Sequence, residues 1–266
     1  MRKKPALVLT IATLSFLISA CETQSNLKSQ QQKTATMSYS YHPGQGNTIV
    51  FQSGLGDGKS VWAKVISQLP QNRAYFSYDR YGYDASPSVA TTRDACTIAH
   101  EQHGLLKQSG AKPPYLLVGH SIGGLYEYVY ALMYPEEVAG VLLLDPTHPK
   151  HWETIQNEAP SAAAIIKTMR FTVFSPVMRK EFDAQTDCLN TLPTHYSTSF
   201  KTRILTSTLA RAGEQGSYQD VLAKLRKDWI QLTGIAQTEP VDRATHYIQK
   251  DRPDSVVKAI LEMNPL

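Results

Sequence analysis

The chain of 266 residues has few cysteines, no cluster of basic residues beyond its N-terminus and no apolar run that comfortably reaches the ~20 residues needed to span a membrane. Of its three cysteines, Cys21 lies near the N-terminus, and Cys96 and Cys188 lie in the body of the chain. The residues around Cys96 and Cys188 in the sequence do not suggest that either cysteine is a catalytic nucleophile. In an oxidising compartment they are expected to form a disulfide, the alternative being two buried free thiols.

The charge balance gives no indication of a polyanionic partner. The chain has 27 Lys and Arg against 23 Asp and Glu, a net charge of +4. Cleavage of an N-terminal signal would remove Arg2, Lys3 and Lys4. The count of basic against acidic residues then becomes 24 against 23, and the net charge falls to +1. No nucleic-acid partner is therefore expected, and because no segment repeats at a fixed period, a repeat architecture is not expected either.

The first residues have the pattern of a secretion signal. Three basic residues precede the apolar stretch 5–20, which is shorter than a typical membrane span. The ending ISAC, residues 18–21, resembles a bacterial lipoprotein signal, in which the cysteine becomes lipidated and N-terminal. The resemblance implies lipidation of Cys21 and attachment to the bacterial cell envelope. Glu22 stands where an aspartate often directs inner-membrane retention, which favours the outer membrane. An ordinary secretory peptide and a transmembrane anchor are the alternatives.

These patterns predict a signal peptide at 1–20, a flexible polar tether at 21–36 and one domain at 37–266. Within the domain, strand-like segments fall at 37–42, 47–52, 73–79, 115–120, 138–145, 202–207 and, more weakly, 239–244. Helical spacing falls between them at 61–69, 91–110, 124–134, 218–232 and 253–263. This alternation predicts an α/β fold with a mostly parallel central sheet and helices on both faces. Helix-like pieces alone occupy about 146–198, which predicts a small helical cap insertion.

The segment GHSIG, residues 119–123, fits the pattern G-x-S-x-G between a predicted strand and a predicted helix. In that setting a strained turn lifts the serine hydroxyl above the sheet edge, and the glycines prevent collisions. The longer run GHSIGGLYEYVYALMYPEEVAGVLLLDPTHP resembles the nucleophile elbow, helix and next strand of the α/β-hydrolase superfamily. The resemblance covers roughly residues 47–266 and implies that Ser121 is the nucleophile.

The same resemblance implies an oxyanion hole, in which backbone N–H groups stabilise the charge that develops on the former carbonyl oxygen. Ile122, directly after the serine, would supply one N–H group. The run FQSGLGDGKSVW resembles the oxyanion loop of the family, and Leu55 matches the second donor position. Ser53 stands where many relatives carry histidine, which leaves a backbone role intact.

The base and the acid should follow the serine in the order serine, acid, histidine. His246 precedes the C-terminal helix and resembles the catalytic histidine of the family. For the acid, Asp145 is preferred because it ends the apolar run VLLLD, at the sheet edge where α/β sites form. Glu214 and Asp220, which follow the next predicted strand, are the alternatives.

The resemblance implies a serine hydrolase that cleaves small carboxylic esters through an acyl-enzyme intermediate. A serine at the elbow disfavours dehalogenase and epoxide-hydrolase chemistry, which in this superfamily use aspartate. The alternatives are a lipase or lysophospholipase, an amide or lactone hydrolase, and a non-catalytic binding protein of the same fold.

No cofactor and no metal are expected, because the His-x-x-His pairs 100/103 and 148/151 lack a third ligand pattern. Four aromatic residues of the predicted cap suggest an apolar pocket, with core packing as the default explanation for each, and these are Trp152, Phe171, Phe174 and Phe182.

Overall fold

The computed structural model describes residues 36–195, 200–210 and 215–266. Its sheet contains the strands β1 (Tyr39–His42), β2 (Gln45–Gln52), β3 (Arg73–Tyr78), β4 (Tyr115–His120), β5 (Val138–Leu144), β6 (Lys201–Ser207) and β7 (Glu239–Val241). The strand order is β1-β3-β2-β4-β5-β6-β7. Only the pairing of β1 with β3 is antiparallel among these strands, so the mostly parallel sheet predicted from the sequence is confirmed.

Seven helices lie between strands of the described sheet, and two follow its last strand. They are α1 (Ala63–Ile66), α2 (Ala95–Ser109), α3 (Ile122–Met133), α4 (His151–Glu158), α5 (Pro160–Thr172), α6 (Pro176–Ala184), α7 (Ser217–Thr233), α8 (Ile248–Asp251) and α9 (Pro253–Met263). The helix predicted at 61–69 is instead a 3-10 turn, Lys59–Trp62, that leads into the short α1. The helix predicted from residue 91 begins at Ala95, because the side chain of Asp94 accepts the N–H of Thr97 and caps it.

The apolar runs of the central strands are explained by burial on both faces of the sheet. In β4, Leu117 packs in a core with α2 and α3, whereas Leu116 and Val118 pack on the opposite face in a core with α1 and α9. Strand β5 alternates in the same way from Val141 to Leu144. Side chains of a strand point alternately to the two faces, so a doubly covered strand needs an apolar residue at every position.

The segment between β5 and β6 contains α4, α5, α6 and a 3-10 turn at Leu189–Thr191, and its described residues form no strand. Helices α4 and α5 share a small core with α7, centred on Ile155, Ala163 and Leu225. At the far end of the segment a disulfide joins Cys188 to Cys96 in α2. The cap is thus tied covalently to the helical layer beneath it.

The predicted signal peptide, Cys21 and all but the last residue of the predicted tether lie outside the described residues. Within the described part of the chain, no helix combines the length and apolar character that crossing a bilayer requires.

Candidate active site

Ser121 occupies the sharp turn between β4 and α3. Its backbone has φ 55° and ψ −125°, a conformation that a residue with a side chain adopts only when its surroundings enforce it. The N–H of Ser121 donates to the carbonyl of Leu144 at 3.0 Å, and its carbonyl accepts from the N–H groups of Gly124 and Thr147, each at 2.9 Å. These bonds hold the strained residue between two strand ends, where its side chain borders a cavity.

The glycines around Ser121 are required by close backbone contacts. A Cβ atom at Gly119 would lie 2.6 Å from the carbonyl oxygen of Gly123. At Gly123, a Cβ atom would lie 2.4 Å from the carbonyl oxygen of Gln52 in β2. Neither neighbour can move, since both are backbone atoms, so the turn excludes any larger residue at these two positions.

Asp145 and His246 meet at the carboxyl end of the sheet. His246 Nδ1 lies 3.3 Å from Asp145 Oδ2, although the two residues are 101 positions apart in the chain. Asp145 directly follows β5 with φ 43°, and its N–H donates to the carbonyl of Leu205 in β6 at 2.9 Å. Asp145 and His246 border the same cavity as Ser121, so the structure brings the three predicted residues to one place.

The carboxylate of Asp145 is strongly stabilised in its ionised form. Its burial alone would raise the pKa. The hydrogen bond from His246 and that residue's charge lower it, and so do the side chain of Ser207 and the guanidinium of Arg226, 3.1 Å from Oδ1. The combined effect holds the pKa of Asp145 well below its usual range. Asp145 is therefore an anion at every pH at which a histidine titrates.

Of the two alternative acids, the geometry tests only Asp220, and it does not support that residue. Asp220 is exposed in the first turn of α7 and is not among the residues that border the cavity. Glu214 lies outside the described residues. Sequence reasoning missed Arg226, and a single arginine in an amphipathic helix gives no signal of its partner.

Leu55 and Ile122 also border the cavity. Arg80 Nη2 donates to the carbonyl of Gly54 at 2.9 Å, and Arg80 Nη1 donates to the carbonyl of Ser53 at 2.6 Å. The peptide bond between Gly54 and Leu55 is trans, so its C=O and N–H point in opposite directions. Because Arg80 binds the carbonyl of Gly54 on one side of this peptide, the N–H of Leu55 points to the other side, away from Arg80.

The guanidinium of Arg80 is itself held by the cap. Glu181 of α6 accepts from Nε and from Nη2 of Arg80, each at 2.9 Å, and also accepts from the hydroxyl of Tyr83 at 2.7 Å. Both charged side chains are almost completely buried. Helix α6 is thereby connected to the loop that carries Leu55, a link that the sequence did not reveal because the two residues are 101 positions apart.

Ser53 and His120 have structural contacts. Ser53 Oγ donates to the carbonyl of Gly58 at 3.0 Å and accepts from Nε1 of Trp62 at 3.1 Å, which closes the turn after β2. His120 is buried, and its Nε2 donates to the carbonyl of His246 at 2.8 Å. The residue before the serine thus supports the loop that carries the histidine, in line with a packing role.

The cavity has a volume of about 410 Å³ and lies between the sheet edge and the cap. Phe174 and Phe182 border it, as expected, together with Ile165, Ile166 and Met169 of α5. Of the other two aromatics, Trp152 fits the core-packing explanation, and Phe171 fits neither. Trp152 is not among the residues that border the cavity, and its ring packs edge-on against Phe182 with 5.0 Å between the ring centres. Phe171 is turned to the surface and is 72% exposed.

Two further histidines border the cavity as neutral rings. Burial, followed by the charges of His151 and Lys150, lowers the pKa of His148 to about 3. Burial, followed by the charge of His246, lowers the pKa of His151 to about 4. Nδ1 of His148 accepts the N–H of Lys150 at 3.0 Å, so its remaining proton is on Nε2.

Comparison with known proteins supports the same fold. A family model described as alpha/beta hydrolase fold matches residues 47–200. The uncharacterised protein YqjL of Bacillus subtilis is 35% identical over 101 residues, 38% of this chain and 40% of its own length. The human (lyso)-N-acylphosphatidylethanolamine lipase is 27% identical over 119 residues, 44% of this chain and 35% of its own length. The matches thus span less than half of these relatives.

Among solved structures, a thermophilic esterase from Thermogutta terrifontis superposes with a TM-score of 0.59 at 18% identity, covering 85% of this chain and 92% of the esterase. At that identity the likeness shows the fold alone.

Proposed function

The chain belongs to the α/β-hydrolase family, and from this premise we propose that it is a serine hydrolase that cleaves carboxylic esters through an acyl-enzyme intermediate. One observation carries the proposal: Ser121, in an enforced strained turn, borders the same cavity as the hydrogen-bonded pair of His246 and Asp145. A strained serine beside a histidine that a buried carboxylate orients is the arrangement that activates a hydroxyl nucleophile.

In the proposed reaction, Ser121 Oγ attacks the ester carbonyl while His246 accepts the hydroxyl proton. His246 then donates that proton to the leaving alcohol, and the acyl group stays on Ser121. Water next loses a proton to His246 and attacks the acyl-enzyme, and the carboxylate product leaves as the proton returns to Ser121. Asp145 holds the imidazole through Nδ1 and stabilises its positive form throughout.

The N–H groups of Leu55 and Ile122 are proposed to form the oxyanion hole. Support comes from their position at the cavity and from Arg80, which orients the peptide unit that contains the Leu55 N–H. The positive guanidinium on the carbonyl side also polarises that peptide, which strengthens its N–H as a donor.

A lipase or lysophospholipase activity is the second candidate. It is favoured by the apolar wall that α5 contributes to the cavity and by the likeness to the human (lyso)-N-acylphosphatidylethanolamine lipase. Epoxide hydrolysis is not favoured: an epoxide hydrolase is among the similar structures, but at 15% identity it shows the fold alone. The nucleophile position of this chain holds serine.

A fluorophosphonate probe tests the serine nucleophile directly. The native protein should be labelled, Ser121→Ala should not, and His246→Ala should be labelled far more slowly. Ser67→Ala, which changes an exposed serine after α1, is the matched control and should keep native labelling. A folded native protein that resists the probe would remove the proposal. A panel of esters of increasing acyl length then separates an esterase from a lipase.

The protein is further proposed to be attached to the bacterial cell envelope through a lipidated Cys21, on the strength of the ISAC pattern at residues 18–21. Cys21→Ala should convert a protein that only detergent extracts from membranes into one that high salt extracts. If the variant still needs detergent, Cys21 is not the anchor.

A further inference from the structure

The cap presents an exposed apolar surface at the mouth of the active-site cavity. Ile165, Met169, Phe171 and Val173 are 54%, 42%, 72% and 63% exposed, respectively. Ile165 and Met169 border the cavity, whereas Phe171 and Val173 lie beyond it on the outer surface. Only Ala163 of α5 is fully buried. Exposed apolar residues grouped in this way mark a surface that contacts something other than water.

The charge of this surface narrows the choice of partner. We call residues 160–180 the cap face. Its sequence PSAAAIIKTMRFTVFSPVMRK contains four basic residues and no acidic one. The basic residues are Lys167, Arg170, Arg179 and Lys180. Arg170 forms an ion pair with Asp183, just beyond the cap face, while Lys167 and Lys180 are exposed. The cap face therefore combines large apolar side chains with positive charge.

A second copy of the chain fits such a surface poorly. In a two-fold symmetric dimer the same patch meets itself, so the basic residues of one cap face would approach those of the other. An anionic lipid surface fits both properties, because apolar side chains enter the boundary between head groups and acyl chains while basic side chains contact the head groups.

We propose that the cap face docks on an anionic lipid bilayer, with Phe171 and Val173 inserted at the level of the head groups. In this orientation the mouth of the cavity, bordered by Ile165 and Met169, faces the lipid. The substrates that the site then receives are esters of long acyl chains dissolved in the bilayer. Only the delivery of an ester to Ser121 rests on the proposed function, since the docking itself requires no catalysis.

A local fluorescence probe tests the docking on the full-length chain. Phe171→Trp is mixed with vesicles of phosphatidylcholine alone, or of phosphatidylcholine with phosphatidylglycerol. The emission should shift to the blue with the anionic vesicles, and brominated acyl chains should quench it. Tyr39→Trp, at an exposed position on the edge strand β1, is the matched control and should not respond. Because both variants share the same N-terminus, any lipid anchor affects them equally. An equal response of the two variants, or none from Phe171→Trp, would overturn the proposal.

Charge and insertion are separated by two further variants. Phe171→Asp combined with Val173→Asp should weaken binding to anionic vesicles about tenfold or more. Lys167→Glu combined with Lys180→Glu should weaken it by a similar factor and remove most of its salt dependence. In both variants the rate of hydrolysis of a long-chain ester in vesicles should fall in proportion to the loss of vesicle binding. The rate for a short dissolved ester should stay at the native value.

The outcomes distinguish the docking proposal from the proposed function. Docking of Phe171→Trp by a protein that hydrolyses no ester would support the docking and contradict the esterase. Hydrolysis of dissolved esters without any vesicle response would support the esterase and contradict the docking. Self-association that Phe171→Asp with Val173→Asp abolishes, without a vesicle response, would assign the cap face to a second copy of the chain and overturn the lipid proposal.

Discussion

The helix that follows Ser121 and the long helix of the cap differ sharply in burial, although both border the same cavity. Ten of the twelve residues of α3 (Ile122–Met133) are buried. In α5 (Pro160–Thr172), which has thirteen residues, only Ala163 is buried. Helix α3 packs in the main core of the domain, whereas α5 rests on a small core with α4 and α7.

This difference separates two tasks. The reacting groups need fixed positions, because small displacements cost large factors in rate, and a helix enclosed by the core provides them. Access to the cavity needs a surface that contacts the source of the substrate, and α5 supplies an exposed apolar surface at its mouth. Helix α6 connects the two regions, because its Glu181 binds Arg80 beneath the loop of Leu55.

The largest expected effect tests the rigid region. Asp145→Asn keeps the size of the side chain but cannot stabilise the positive imidazole, so we expect kcat to fall by about 10⁴-fold. The matched control is Asp220→Asn, at an exposed position of α7, which should keep native activity. Near-native activity of Asp145→Asn would move the search for the acid to Glu214.

The link between the two regions should respond next. Glu181→Gln leaves the buried guanidinium of Arg80 without its counter-charge, and we expect a loss of about 3–5 kcal/mol in the free energy of unfolding. Because the Leu55 N–H is then less well oriented, kcat should fall about tenfold or more with little change in KM. The control on the same helix is Asp183→Asn, which breaks an exposed pair with Arg170 and should cost less than about 1 kcal/mol. If denaturant unfolding gives the same loss of unfolding free energy for Glu181→Gln and Asp183→Asn, the buried pair does not hold α6 in place.

The buried face of α3 also predicts a pH dependence. Burial raises the pKa of Glu127 to about 8, although hydrogen bonds from Gln102 act in the opposite direction. The carboxyl group of Glu127 therefore keeps its proton in the folded chain at pH values where it has lost it in the unfolded chain, whose glutamate pKa is about 4.3. The contribution of Glu127 to stability is therefore complete below about pH 4.3 and is lost as the pH rises through about 8. Glu127→Gln should grow more stable relative to the native chain across this interval, as measured by unfolding at successive pH values. Glu136→Gln, at an exposed position, should stay parallel to the native curve.

The smallest expected effect concerns α5. Phe171→Ala should change the free energy of unfolding by less than about 0.5 kcal/mol, because the ring is exposed. Phe51→Ala in β2, where the ring is fully buried, should cost about 3–5 kcal/mol. A large loss at Phe171 would mean that the ring supports the fold instead of serving as a free surface.

Much of the fold could be predicted because its signals are local. The apolar runs of β4 and β5 and the glycines around Ser121 each act within a few residues. Local signals failed where tertiary packing determines the backbone conformation. The segment predicted as a helix at 61–69 is a 3-10 turn that leads into the short α1. They failed again in the cap, where Phe174 and Phe182 face the cavity and Phe171 faces outward.

The candidate site shows the same division. The sequence by itself determined a strained serine turn at residue 121, because only glycine tolerates the backbone contacts on either side of it. The sequence preferred Asp145 as the acid but left alternatives open, and the tertiary structure decided that Asp145 meets His246, that Arg226 supports the acid, and that Glu181 of the cap holds Arg80 beneath the loop of Leu55. The physical reason is distance along the chain. These partners are 81 to 101 residues apart, and only the adjacency of strand ends and the packing of the cap bring their charges together.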